Sequence, residues 1–140
     1  MTRRHRADER GTVAVEIAVL APAFVFLMLL VVYAGRVAEA EGNVERAAAD
    51  AARAASLRQH PGDATDDARN VAADNLDASG VPCQPLTTDV DTTSFGAGGS
   101  VTVTVTCDAS MADVTLLGVP GHRTFTATAT EVIDTYRSDP

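Results

Sequence analysis

The sequence predicts an α+β protein: a long N-terminal membrane-crossing helix that serves as a spine, a second short helix, and a small antiparallel sheet of about three strands. Three observations carry this reading. Val13 to Val32 is an almost unbroken apolar run. From Tyr33 to Leu57 small and apolar residues recur at steps of three or four. After Val81-Pro82 the pattern switches to strict alternation, clearest in Val101-Thr-Val-Thr-Val-Thr106.

The apolar run is long enough to cross a bilayer. At 1.5 Å per residue it spans roughly 30 Å, the thickness of a hydrocarbon core. Two residues depart from a plain anchor. Pro22 removes a backbone donor, which membrane helices tolerate. Glu16 puts a carboxylate near the start of the span, where a charge costs somewhat less than the roughly 2.5–3.5 kcal/mol it costs at the centre. Such a residue needs a partner, which makes Glu16 the first candidate functional residue. Before the span lies a basic leader with Arg3, Arg4, Arg6 and Arg10 against Asp8 and Glu9, and it ends at Gly11. Beyond the span only Arg36 is close. The excess of Arg before the helix places the N-terminus in the cytoplasm and the C-terminal part outside the cytoplasmic membrane, as a single-pass protein.

The helix is expected to continue past the membrane. Val37, Ala40, Val44, Ala48, Ala51 and Ala55 form one stripe, with Glu39, Glu41, Glu45, Arg46, Asp50 and Arg53 between them. Asp50 and Arg53 are spaced for a weak helical ion pair. One helix from about residue 12 to 57 would be roughly 65–70 Å long. Its Ala stripe has two readings: packing against the protein's own small domain, or close approach to other subunits. Gln59-His-Pro-Gly62 then breaks the chain. Asp63 or Thr65 is the expected cap of a second helix, with Ala68, Val71, Ala72 and Leu76 on its apolar face and an end near Ser79-Gly80. The resulting organisation is a leader at 1–11, a transmembrane helix at 12–33, its exterior continuation at 34–58, and a small extracytoplasmic α+β domain at 59–140.

Strands are expected at Gln84–Val90, Val101–Thr106 and Arg123–Ile133, with a Gly-rich connection from Thr93 to Ser100 and a turn from Gly118 to His122. Met111 to Leu117 fits a short helix or a loop. Three strands with one apolar face need a cover, and the two helices supply it. Cys83 enters the first strand and Cys107 leaves the second. Antiparallel pairing brings those ends together, so one disulfide is expected in an oxidising exterior, with a pair of free thiols as the alternative.

The text Arg10-Gly-Thr-Val-Ala-Val-Glu-Ile-Ala-Val-Leu-Ala-Pro22, with Gly35-Arg36 further on, resembles the TadE/TadG-type minor pseudopilins of the tight-adherence (Flp-type) type IV pilus system. The resemblance covers about residues 10 to 50. This chain departs from the usual pattern in carrying Ile17, where an aromatic residue ordinarily follows the Glu. The resemblance implies a pilin-like fold and a minor pilin or pseudopilin, a structural component of pilus assembly or secretion. It implies cleavage between Gly11 and Thr12 by a prepilin peptidase. It also implies that Glu16 meets the freed amino terminus of a neighbouring subunit. The partners it implies are the membrane, the peptidase, other pilin or pseudopilin subunits and an inner-membrane assembly platform.

Other function classes are poorly supported. The net charge is −8, and residues 12–140 hold seven Arg against seventeen acids, which argues against nucleic acid as a partner. No G-x-S-x-G or H-E-x-x-H motif occurs, and the Gly-rich stretch at 96–99 lacks the Lys of a phosphate-binding loop, so no catalytic residue and no cofactor are expected. His5, His60 and His122 lack metal-ligand spacing, and Asp89 and Asp91 read as solvated strand-edge groups. The competing reading is a protein secreted by a signal peptide, or anchored, that binds an extracellular ligand. Ala38-Glu39-Ala40 supplies its A-x-A cleavage site, with Glu41 as the mature start.

Overall fold

The computed structural model describes residues 5–110 and 121–137, with side chains from residue 15 onward. The segment from Met111 to Leu117 and most of the turn expected before His122 lie outside the described residues. Elements follow in the order α1 (His5–Ser56), α2 (Pro61–Ala78), β1 (Cys83–Asp91), β2 (Ser100–Ser110) and β3 (His122–Val132). This is the predicted α+β arrangement. The chain divides into two compact units, residues 1–36 and 37–140.

α1 begins at His5, within the leader, rather than at Thr12. Arg6, Ala7, Glu9 and Arg10 are good helix formers, and one Gly at position 11 costs only about 1 kcal/mol against Ala. Pro22 lies inside the helix. The last turn tightens as Leu57 N–H donates to Ala54 O at 3.3 Å and Arg58 N–H to Ala55 O at 3.1 Å.

The residue that precedes α2 as its cap, His60, lies three residues before the first of its expected caps. Pro61 occupies the first turn, where its missing N–H is no loss, and His60 precedes it in an extended conformation without a side-chain cap. Asp63 falls in the first helical turn, where a carboxylate suits the helix dipole. Thr65 Oγ1 bonds back to Pro61 O at 2.9 Å, so neither residue caps. The C-terminal end follows the expectation. Gly80 takes φ +69°, its N–H donates to Asp77 O, and Val81 N–H donates to Leu76 O. That pair of bonds is a Schellman stop, which needs the left-handed residue that Gly supplies.

The sheet is antiparallel with order β1-β2-β3. Thr88 faces Val105, and Cys107 lies between Leu86 and Phe125. The β1 register shifts between Cys83 and Leu86, where the Gln84–Pro85 peptide is cis. Pro85 is tolerated because β1 is an edge strand. In the β1–β2 connection a side chain at Gly99 would overlap the carbonyl oxygen of Ser94.

The core lies within residues 37–140. Val101, Val103, Val105, Cys107 and Ala109 bury the inner face of β2, joined by Phe125 and Ile133. α2 contributes Ala64, Ala68, Ala72 and Leu76, and α1 contributes Ala40, Val44, Ala47, Ala48, Ala51, Ala52 and Ala55. The Ala stripe therefore packs into the protein's own domain, the first of its two readings. Among the described residues no polar or charged side chain is buried. Asp50 on α1 accepts a hydrogen bond from Asn75 Nδ2 on α2 at 2.9 Å, a tie to the second helix in place of the local Arg53 pairing that the spacing suggested.

Candidate functional site

The N-terminal half of α1 has the opposite surface. From Val15 to Val32 every residue is exposed, and Tyr33 is the first to be partly covered. Phe24 is 63% and Met28 71% exposed. A soluble protein does not leave such a continuous apolar cylinder in water. Among the described residues one helix is long and apolar enough to cross a membrane, and none of its most apolar stretch is buried, unlike the core helix of a soluble protein. Apart from the Ala18 carbonyl, whose helical donor Pro22 lacks, the helix satisfies its own backbone polar groups, as hydrocarbon requires.

Glu16 is exposed on this cylinder. Its helical neighbours one turn on are Val19 and Leu20, so its carboxylate sits on an apolar surface. Gly11 and Thr12 are helical in backbone, with side chains outside the described residues. Along a regular helix Gly11 lies about 7.5 Å before Glu16. Gly11, Thr12 and Glu16 thus follow one another on a single helical segment.

The cysteines form a separate feature. The Sγ atoms of Cys83 and Cys107 are at bonding distance, with Cα atoms 5.0 Å apart, across the β1–β2 pair. No free cysteine is found among the described residues. Nor does any described group of three or more His, Cys, Asp and Glu residues have the arrangement to hold a metal.

Sequence reasoning missed Arg137. Its guanidinium donates to the carbonyl oxygens of Ser56, Arg58 and Gln59, the last at 3.0 Å, and its cationic carbon lies 4.9 Å from the centre of the Phe95 ring. It thereby satisfies carbonyls that the end of α1 leaves without helical partners. Only its cationic character could have signalled this, because the partners are some eighty residues away in sequence. Arg58, held by the hydrogen bond and charge of Asp67 at 2.8 Å, is more firmly protonated than a free arginine.

Taken together these features define a class: a small disulfide-clasped α+β domain on a helix whose apolar stretch from Val15 to Val32 is built for lipid, with the Glu16 carboxylate on that stretch. The family described as TadE-like protein matches residues 11–53. The chain thus carries a TadE-family segment over its N-terminal helix, in keeping with the TadE/TadG-type resemblance of the sequence. Neither a curated protein nor a solved structure matches the chain.

Proposed function

We propose that this chain is a minor pilin- or pseudopilin-like structural subunit of pilus assembly or secretion, cleaved between Gly11 and Thr12 and then held in the cytoplasmic membrane by residues 12–33. The observation that carries this reading is the coincidence of the TadE-like match, which begins at Gly11, with the exposed apolar surface from Val15 to Val32. Glu16 becomes the fifth residue of the processed chain. A neighbour's new ammonium is the partner that a carboxylate on an apolar helix requires. Residues 34–58 and 59–140 then lie outside, where an oxidising compartment favours the Cys83–Cys107 pair. The peptidase, neighbouring subunits and an assembly platform are the implied partners.

The secreted binding-protein reading is less well supported. Its cleavage site at Ala38-Glu39-Ala40 lies inside α1, and Ala40 belongs to the buried core at 6% exposure. The deciding experiment is the N-terminal sequence of the mature protein taken from its native membrane, by mass spectrometry. A start at Thr12 is expected. A start at Glu41 would replace the pilin reading with the secreted one, and an uncut N-terminus would leave a plain anchor.

A further inference from the structure

The two edges of the sheet are built differently. β1 is blunted by Pro85, by the register shift between Cys83 and Leu86, and by the outward acids Asp89 and Asp91. Those are the usual devices against strand pairing. β3 has none of them from Thr124 to Thr130: no Pro, no Gly and no charge. Its main-chain polarity is fixed by Ile133, whose N–H donates to Gly99 O at 2.9 Å and whose carbonyl accepts from Gly98 N–H at 3.2 Å. Antiparallel bonding alternates, so the odd residues of β3 spend their N–H and C=O groups on the β2 side. The even residues, Thr124, Thr126, Thr128 and Thr130, present theirs to the free edge. Among the described residues no strand lies on that edge.

We propose that the free edge of β3 pairs with β3 of a second copy of this chain, antiparallel about a two-fold axis at Ala127. The sequence of β3 is self-complementary in that register and in no neighbouring one. Arg123 falls opposite Glu131 of the other copy, and this happens twice, once at each end of the pair. Thr126 falls opposite Thr128, and Thr124 opposite Thr130, so outward-facing main-chain groups meet outward-facing groups, as hydrogen-bonded antiparallel pairs require. Phe125 meets Ala129, a large residue against a small one. The arrangement also extends a pattern already present inside the sheet. Thr102–Thr130, Thr104–Thr128 and Thr106–Thr126 join hydroxyl to hydroxyl at 2.8, 3.0 and 3.3 Å. The dimer would continue that threonine face across the four strands β2 and β3 of both copies. A two-fold contact of this kind is closed, which limits it to pairs. It uses the folded domain alone and does not depend on whether Gly11 is cleaved.

The test is disulfide trapping in the full-length protein in detergent micelles. The native cysteines are already paired with each other. Ala127→Cys sits on the proposed axis and should give a covalent dimer under mild oxidation. Ala129→Cys, displaced by two residues, should not. Arg123→Glu and Glu131→Arg should each weaken self-association by about tenfold, since each breaks two opposite-charge pairs, and the double variant should recover it. Failure of Ala127→Cys to cross-link, equal cross-linking at position 129, or charge reversals that neither weaken nor rescue the dimer would each overturn the proposal. Oligomers that persist without the position-127 cross-link would place self-association elsewhere, on α1.

Discussion

Arg137, just beyond the last strand, donates to the carbonyl of Gln59 at 3.0 Å and so ties the chain's C-terminal segment to the end of α1. The same guanidinium bonds Ser56 and Arg58 and lies over Phe95. One cation thereby joins the helix end, the β1–β2 connection and the C-terminal segment. Charged hydrogen bonds contribute about 1.5–3 kcal/mol each where they are shielded, and a partly exposed cation–π contact about 0.5–1. Because these bonds share one group, they do not add. Arg137→Ala should cost about 2–3 kcal/mol in full-length protein unfolded by denaturant in micelles. Arg137→Lys should recover only part of that, since an ammonium cannot fork across three carbonyls. A loss below half a kcal/mol would show that the network adds little.

The Cys83–Cys107 bridge closes a separation of 24 residues. Chain entropy alone gives about 3–4 kcal/mol for such a loop. For a domain with few aromatic residues that is a large share of the usual 5–15 kcal/mol. Replacing both cysteines by Ala should lower the denaturant midpoint accordingly, and thiol labelling of the unfolded native protein should find no free sulfhydryl. Quantitative labelling without reduction would mean that the pair stays reduced in the cell.

Asp91 sets an acid limit. Thr93 N–H donates to Asp91 Oδ1 at 2.9 Å, and this bond, helped by the Thr93 side chain, holds the Asp91 carboxyl below its ordinary range. A group whose pKa is depressed on folding contributes stability above its unfolded value, about 3.9, and loses it as pH falls through the lower folded value. Stability should therefore be level above about pH 5 as far as this group is concerned, and decline below about pH 4. Asp91→Asn should flatten that part of the curve by lowering stability above about pH 4 toward the acid level, while leaving the most acidic points nearly unchanged, as read from denaturation midpoints between pH 2 and 6. An unchanged acid limb would assign the loss to other carboxylates.

The buried stripe of α1 makes a sharper test of packing. Ala48, Ala51 and Ala55 are fully buried, so there is no room for a longer side chain. Ala51→Leu should destabilise the protein by about 1–3 kcal/mol through overpacking. If the stripe instead faced other subunits, the isolated protein would tolerate Leu and only assembly would suffer.

These results show which parts of the molecule were legible in the sequence. The α1 helix, the Gly80 stop and the Val101–Thr106 strand depend on local period and local turn chemistry, so the order of residues was enough to place them. The cysteine pair followed from strand antiparallelism, a rule with few exceptions in short connections. The start of α2 is hard to read, because Pro61 and Gly62 look like a break, whereas Pro in a first turn is preorganised for a helix. The start of α1 at His5 is hard to read, because the leader's Arg charges signal topology rather than secondary structure, although its side chains favour helix. Arg137, Asn75 and the threonine hydroxyl pairs were out of reach, because each acts on residues distant in sequence, and no local pattern encodes the partner. Glu16 is legible only as an anomaly: hydrocarbon makes an isolated carboxylate costly, but the sequence does not supply its partner.

Glu16 and Gly11 lie on one helix but should fail in different ways. If the proposed cleavage is right, Gly11→Ala adds a methyl where a peptidase must approach the backbone closely, and it should leave the precursor uncut, visible as an unshifted band and an intact leader by mass spectrometry. Glu16→Ala removes the carboxylate yet makes the span more apolar, so membrane insertion should be kept or improved. What it should lose is assembly: cleaved protein should accumulate in the membrane while pili decline. Glu16→Asp separates charge from reach. It keeps the carboxylate but shortens the side chain by one methylene, and partial recovery of pili would mean that the charge is what the neighbouring amino terminus needs. Normal piliation in Glu16→Ala would remove Glu16 from the assembly mechanism and leave its place in the apolar helix to some other partner. Unimpaired cleavage of Gly11→Ala would in the same way move the processing site.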